Sequence, residues 1–261
     1  MTTLQQAMRA VTHPDPDVRQ EAAMRLGTLA DATVAGELVQ RLVDEPDFFV
    51  RETLTWVIVA QQEATVPHLV EALAGQHPSR AQVLHALSKI GDPGLVEHIV
   101  PLAGDPDPAV TAKAWWALGR IALGETAPVL MAHLGTGDPE QRQALTSALE
   151  QFGAPAVPAL AAHLSDPSPA VRRHAAEALS AIGDPGAREA ADALVAYVDS
   201  APDREEGVIA LGALGQLDVP AAQAALERLR SSEDTWVSLM ADWLIVDRAE
   251  RRAKAQRRKK R

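Results

Sequence analysis

His133 and His163 stand thirty residues apart in the same tripeptide, Ala-His-Leu, and their spacing comes nearest to a metal site. As ligands they would need at least one further donor and converging side chains. None of the eight histidines is followed by Glu, so paired carboxylate–imidazole ligands have no obvious source. There is no Gly-x-Ser-x-Gly elbow, no His-Glu-x-x-His and no Gly-rich phosphate loop. The 35 carboxylates are spread along helix caps and exposed faces, and no pair is set apart for acid–base work. With no cysteine, disulfides, thiolate zinc sites and a Cys nucleophile are excluded. No catalytic residue, metal or cofactor emerges, and the chain reads as a non-enzyme.

The same side chains line up in another way, as rungs. Counting back one residue from each closing Leu or its equivalent gives Arg41, His133, His163, Tyr197 and Arg228. Neighbouring rungs would lie one helix diameter apart, ~10 Å. With Glu37, His68, Glu71 and Glu97 these form the expected partner-binding surface, whereas His98 falls on an apolar face as a core imidazole. Trp56, Trp116 and Trp243 share one repeat position, with Trp115 one residue earlier, and are expected to pack between helices or against flanking turns. Arg19, Arg51 and Arg172 each follow a repeated valine and read as a ladder tying one repeat to the next.

The elements that position these rungs recur about every 30 residues. Each unit is a helix A, a turn, a helix B and a turn. Helix A opens with an Asp cap and Pro in its first turn, as at Asp105-Pro106, Asp138-Pro139 and Asp166-Pro167. Apolar stripes follow at helical spacing, such as Val18, Ala22, Leu26, Leu29 and Val171, Ala175, Leu179, Ile182. Gly91 and Gly183 end helix A where a left-handed residue is needed. Anchors fall at Val18, Val50, Ala81, Val110, Gln141, Val171, Glu205 and Val237, giving seven helix pairs and a closing helix. The first ~12 residues read as a partial capping helix, because an open array end exposes apolar surface. A composition 47 % hydrophobic but only 3 % aromatic fits close-packed helices and fits a β-sandwich poorly.

The pattern, clearest in VRRHAAEALSAIGDPGA, resembles the HEAT-repeat family, and most closely its short bacterial subtype named after phycobilisome lyases. The resemblance implies an all-α, right-handed α-solenoid over residues 1–247, with helix A on the convex face and helix B on the concave one. It implies a protein–protein interaction role. Its deoxyhypusine hydroxylase branch holds di-iron with His-Glu pairs, to which Gln20-Glu21 and His174-Ala175 are the nearest equivalents here. Its DNA glycosylase branch works through Trp, Asp and Arg on a basic surface. Nothing marks a bilin pocket for a lyase-type enzyme.

Residues 248–261 form a basic C-terminal tail with nine Lys or Arg and one acid, leaving 16 Lys+Arg against 34 Asp+Glu before it. Arg251, Arg252, Arg257, Arg258, Lys259, Lys260 and Arg261 are its expected electrostatic residues. The start lacks a signal peptide, and no stretch approaches the ~18 apolar residues of a membrane span. The expectation is a cytoplasmic scaffold with no membrane partner, gripping a protein or peptide of basic character on its helix-B surface. The alternative is a nucleic-acid- or ribosome-associated protein acting through the tail.

Overall fold

Carboxylates placed just before helices start most of the repeats, with Ser79 and Ser168 in that place in two others. Asp15 accepts from the Asp17 N–H, Asp47 from Phe49 and Val50, Asp138 from Gln141, and Asp203 from Glu206. Each removes an orphan donor and sets negative charge at the positive end of the helix dipole. At the other end, Gly91, Gly153 and Gly183 hold positive φ, which lets the chain turn out of the helix without a Cβ clash. Ala30 and Ala122 also hold positive φ in other copies, Ala30 in the left-handed region that Gly91 occupies.

The computed structural model describes residues 2–75 and 79–259, with the backbone alone at residues 255, 258 and 259. Among the described residues the chain is all-α, with sixteen α-helices and no strand. It divides into two compact units, Met1–Ile121 and Ala122–Arg261.

The first unit holds α1 (Thr3–Ala10), α2 (Pro16–Leu29), α3 (Ala35–Asp44), α4 (Phe48–Ala60), α5 (Gln62–Ala74), α6 (Arg80–Ile90), α7 (Val96–Ile99) and α8 (Pro108–Ile121). The helices α2, α4, α6 and α8 stack in order, and α3 and α5 stack beside them. The helix α1, opened by a Thr2–Gln5 capping box, lies on α2 as the expected cap. The second unit holds α9 (Ala127–Met131), α10 (Pro139–Phe152), α11 (Val157–His163), α12 (Pro169–Ile182), α13 (Ala191–Ser200), α14 (Arg204–Gly215), α15 (Pro220–Leu229) and α16 (Thr235–Lys259). Here α10, α12, α14 and α16 stack, with α9, α11, α13 and α15 alongside. In chain order this is seven helix pairs and a closing helix, the α-solenoid expected.

Leucines fill the seam of each pair (Leu26 and Leu38, Leu54 and Leu69, Leu179 and Leu194), while Ala175, Ala176 and Ala178 let helices approach closely. Two expected anchors slip by one residue. The caps at Ser79 and Asp203 put Gln82 and Glu206, not Ala81 and Glu205, in the valine position. Leu29 is exposed rather than core, because it is the last residue of α2.

The turn arginines act as the ladder expected. Arg19 donates to the His13 and Pro14 carbonyls, both at 2.9 Å, and Arg51 to those of Glu45 and Pro46 at 3.0 and 2.7 Å. Arg172 does the same to Asp166 and Pro167 at 2.8 and 3.1 Å. Arg19 also reaches forward to clasp Glu45 at 2.7 and 2.9 Å, and that carboxylate accepts from the Asp47 N–H at 3.0 Å. Arg80 holds Asp105 in the same manner. The turn before α14 has Ala201 where Glu45 and Asp105 stand in theirs. Arg172 therefore clasps Glu206 instead, at 2.7 Å through both oxygens, and the Tyr197 hydroxyl donates to the same carboxylate at 2.7 Å. Arg172 holds the fully buried Glu206 carboxyl below the usual carboxylate range, and burial pushes the Tyr197 phenol up.

His174, on α12, serves as a second internal joint. Its Nδ1 accepts from the Gly135 N–H at 3.0 Å, so its proton sits on Nε2, which donates to the Arg142 carbonyl at 3.1 Å. Burial pushes its pKa down. Gly135 has φ +72°, and a Cβ there would lie 2.7 Å from the Ala170 and Val171 backbone.

Three outcomes follow from these joints. Tyr197→Phe lowers stability by about 1.5 kcal/mol, the worth of a hydrogen bond to a charged group, and Glu206→Gln lowers it further by leaving Arg172 without a counter-charge. Calorimetric melting checks this order, and equal losses would contradict it. Gly135→Ala costs at least ~1–2 kcal/mol from the left-handed backbone alone, read in the same melts. For His174 the folded pKa lies below the unfolded value of 6.5, so its stabilising effect is complete above that pH and lost as pH falls through it. Melting between about pH 7.5 and pH 5.5 should therefore fall more steeply for the native chain than for His174→Gln.

Candidate functional site

In the first unit the B helices present Glu37 on α3, His68 and Glu71 on α5, and Glu97 on α7, all exposed. His68 and Glu71 line a groove of about 320 Å³ together with Val39, Val43 and Arg80. Glu97 and His98 line another, of about 370 Å³, with Val70, Leu73 and Pro101. Each groove thus has apolar walls and a carboxylate at its edge. His98 is not the core imidazole expected: its side chain is 40 % exposed and its Nε2 lies 3.8 Å from Glu97, because α7 is only one turn long and ends before Pro101. Arg41 is half-buried, with its Nε 4.0 Å from Glu45, and belongs as much to the turn as to the surface.

The rungs of the second unit have mostly internal partners. Tyr197, expected on the docking surface, is 3 % exposed and bound to Glu206. His163 donates its Nδ1 proton to the Ala159 carbonyl of its own helix at 2.8 Å. His133 is half-buried, and burial pushes its pKa down. Arg228 on α15 is exposed and pairs with Asp199 on α13 at 2.6 Å. No three His, Cys, Asp or Glu side chains converge as metal ligands among the described residues. His174, nearest in position to the di-iron ligands of the hydroxylase branch, has both ring nitrogens engaged as a structural joint.

The tryptophans divide. Trp115 is the packed one, buried with its Nε1 donating to the Ala103 carbonyl at 3.0 Å. Trp56 is 61 % exposed beneath Lys89, whose Nζ is 4.3 Å from the ring centre, and Trp243 is 59 % exposed. Trp116 is half-buried. The exposed Phe48 and Phe49, and Leu239 and Val246 on α16, were not anticipated. The helical spacing of Leu239, Trp243 and Val246 was a legible signal for the last two.

The basic tail continues the last helix, as its lack of Gly and Pro implies: α16 runs through Arg248 to Lys259. Arg248 is buried and donates to the Leu214 carbonyl and Gln223, and Arg251 donates to the Gly215 carbonyl and Gln216. Arg252 pairs with Asp218. Arg248 and Arg251 thus serve the carbonyl end of α14, where cations complement the helix dipole, and Arg252 holds the turn that follows it. Arg257 is exposed; the side chains of Arg258 and Lys259, and all of Lys260 and Arg261, lie outside the described residues. No helix among the described residues is long and apolar enough to cross a membrane.

Comparison with known proteins bears on the fold. The family described as HEAT repeats matches residues 1–59, 66–150 and 127–212. No curated protein matches the chain. Among solved structures, Kap121p is similar at 13 % identity and a TM-score of 0.54, over 92 % of this chain and 33 % of that one. Kap121p bound to Pho4p is similar at 13 % and 0.55, over 92 % and 32 %. The chain thus spans about a third of the length of Kap121p. Human deoxyhypusine hydroxylase in complex with glycerol is similar at 19 % identity, over 93 % and 94 %, with a TM-score of 0.40. From the repeated capped helix pairs and the matches along most of its length, the chain belongs to the HEAT-repeat family.

Proposed function

We propose that the chain is a non-enzymatic scaffold that binds a protein or peptide segment of basic character on the B-helix side of its first unit. The observation that carries this reading is the pair of grooves between successive B helices, with valine and leucine walls and Glu71 and Glu97 at their edges. An extended segment would place apolar side chains in the grooves and set its cations against Glu37, Glu71 and Glu97. Complementary charge of this kind speeds encounter and selects partners. His68 stands beside Glu71, within reach of the same segment. The second unit offers His133, His163 and Arg228 on B helices of its own, and Tyr197 is buried there against Glu206. The tail reading is weakened because Arg248, Arg251 and Arg252 are already engaged by α14, α15 and Asp218.

The test is a pull-down from source-cell lysate after nuclease treatment, comparing the native chain with Glu37→Lys/Glu71→Lys/Glu97→Lys. The native chain should retain a protein that the charge-reversed variant loses by about tenfold or more, with circular dichroism unchanged. Undiminished retention by the variant would move the site elsewhere. Retention abolished by nuclease and by moderate salt would favour nucleic acid.

A further inference from the structure

The helix α16 carries a second surface, independent of the grooves. Its Val237, Met240, Ala241, Leu244 and Ile245 pack inward against Leu211 and Leu226. On the opposite side Trp236, Leu239, Trp243 and Val246 follow one another at intervals of three, four and three residues. They are 44, 63, 59 and 58 % exposed. That spacing keeps large apolar groups on one helix face, as in a two-helix seam.

We infer that this stripe is the interface with a second copy of the chain, formed by two α16 helices packed antiparallel with their two-fold axis at position 241. The spacing is palindromic, so the stripe maps onto itself when reversed. One register sets Trp236 against the partner copy's Val246 position and Leu239 against its Trp243 position. A large ring then meets an aliphatic group at every step, as a self-complementary, closed interface requires. Parallel pairing would stack Trp on Trp and would run the two basic C-terminal segments side by side. Antiparallel pairing separates those segments and leaves Lys254 of each copy ~7.5 Å beyond Glu233 of the other helix, a distance its long stem spans back toward that carboxylate, while Glu250 falls opposite Ser232. The stripe withdraws on the order of 500 Å² per copy, taking ~150–250 Å² for a fully buried aromatic ring. That is below the ~800 Å² per partner of a stable complex. The dimer is therefore weak and concentration-dependent.

Sedimentation of the full chain over a wide concentration range tests this. The weight-average mass should rise from 27.8 kDa toward twice that value, and Leu239→Glu should weaken association by about tenfold or more. Val246→Glu, at the other end of the stripe, should act alike, and unchanged circular dichroism separates lost association from lost folding. Because the chain has no cysteine, Trp236→Cys and Val246→Cys can fix the register. An oxidised mixture should yield more cross-linked heterodimer than both homodimers together. A constant monomer mass would overturn the interface, and a preference for homodimers would overturn the antiparallel register. A monomeric chain whose Leu239→Glu variant drops a different protein would give the stripe to that protein instead.

Discussion

Every repeat begins with a problem of buried charge, and the rest of the structure depends on how it is met. Helix A needs its N-terminal N–H groups capped, and the chain reaches that helix through a turn whose carbonyls face inward. The Asp cap handles the first need. At α2, α4 and α12 an arginine one turn into the helix handles the second by folding back on carbonyls five and six residues earlier, and at α8 Thr111 bonds the Asp105 carbonyl instead. Arg19 and Arg172 also clasp a carboxylate of the next repeat, so the charge that closes one turn fixes its neighbour's position. A buried pair of this kind adds little net stability over a well-packed apolar pair but penalises misplacement heavily. Its effect is to fix how one repeat meets the next.

Much of this was legible in the sequence because it is local. Asp-Pro at a helix start, Gly at a helix end and valine–arginine at a fixed offset are short-range signals, and the pairs they delimit were found in order. The readings that failed depended on neighbours distant in sequence. Tyr197 looked like a surface rung by its offset from Leu-rich turns, yet it is drawn inward by Glu206, whose burial answers the missing turn acid at Ala201. His98 looked like a core residue until Pro101 shortened its helix to one turn. Trp56, Trp116 and Trp243 share one repeat position, yet Trp116 is half-buried while the other two are exposed, because exposure depends on which residue of the next helix lies opposite.

The two units use the same repeat differently. In the first, B-helix carboxylates remain at the edges of open grooves. In the second, the B-helix residues Tyr197, His163 and Arg228 each have an intramolecular partner. The basic tail follows the second pattern. Its first arginines complete the carbonyl end of α14, so charge that looked available for an external partner is in part an internal cap.

The exchange at Glu206 also bears on the history of the array. Repeats that share one joint can be duplicated, deleted or recombined, since any copy will accept any neighbour. The joint between α12 and α14 breaks that symmetry. A copy of the last pair moved elsewhere would strand a buried carboxylate, and a standard copy placed after α12 would leave Tyr197 facing valine. This stretch of the chain can therefore vary only in concert, while the repeats joined through turn carboxylates remain interchangeable parts.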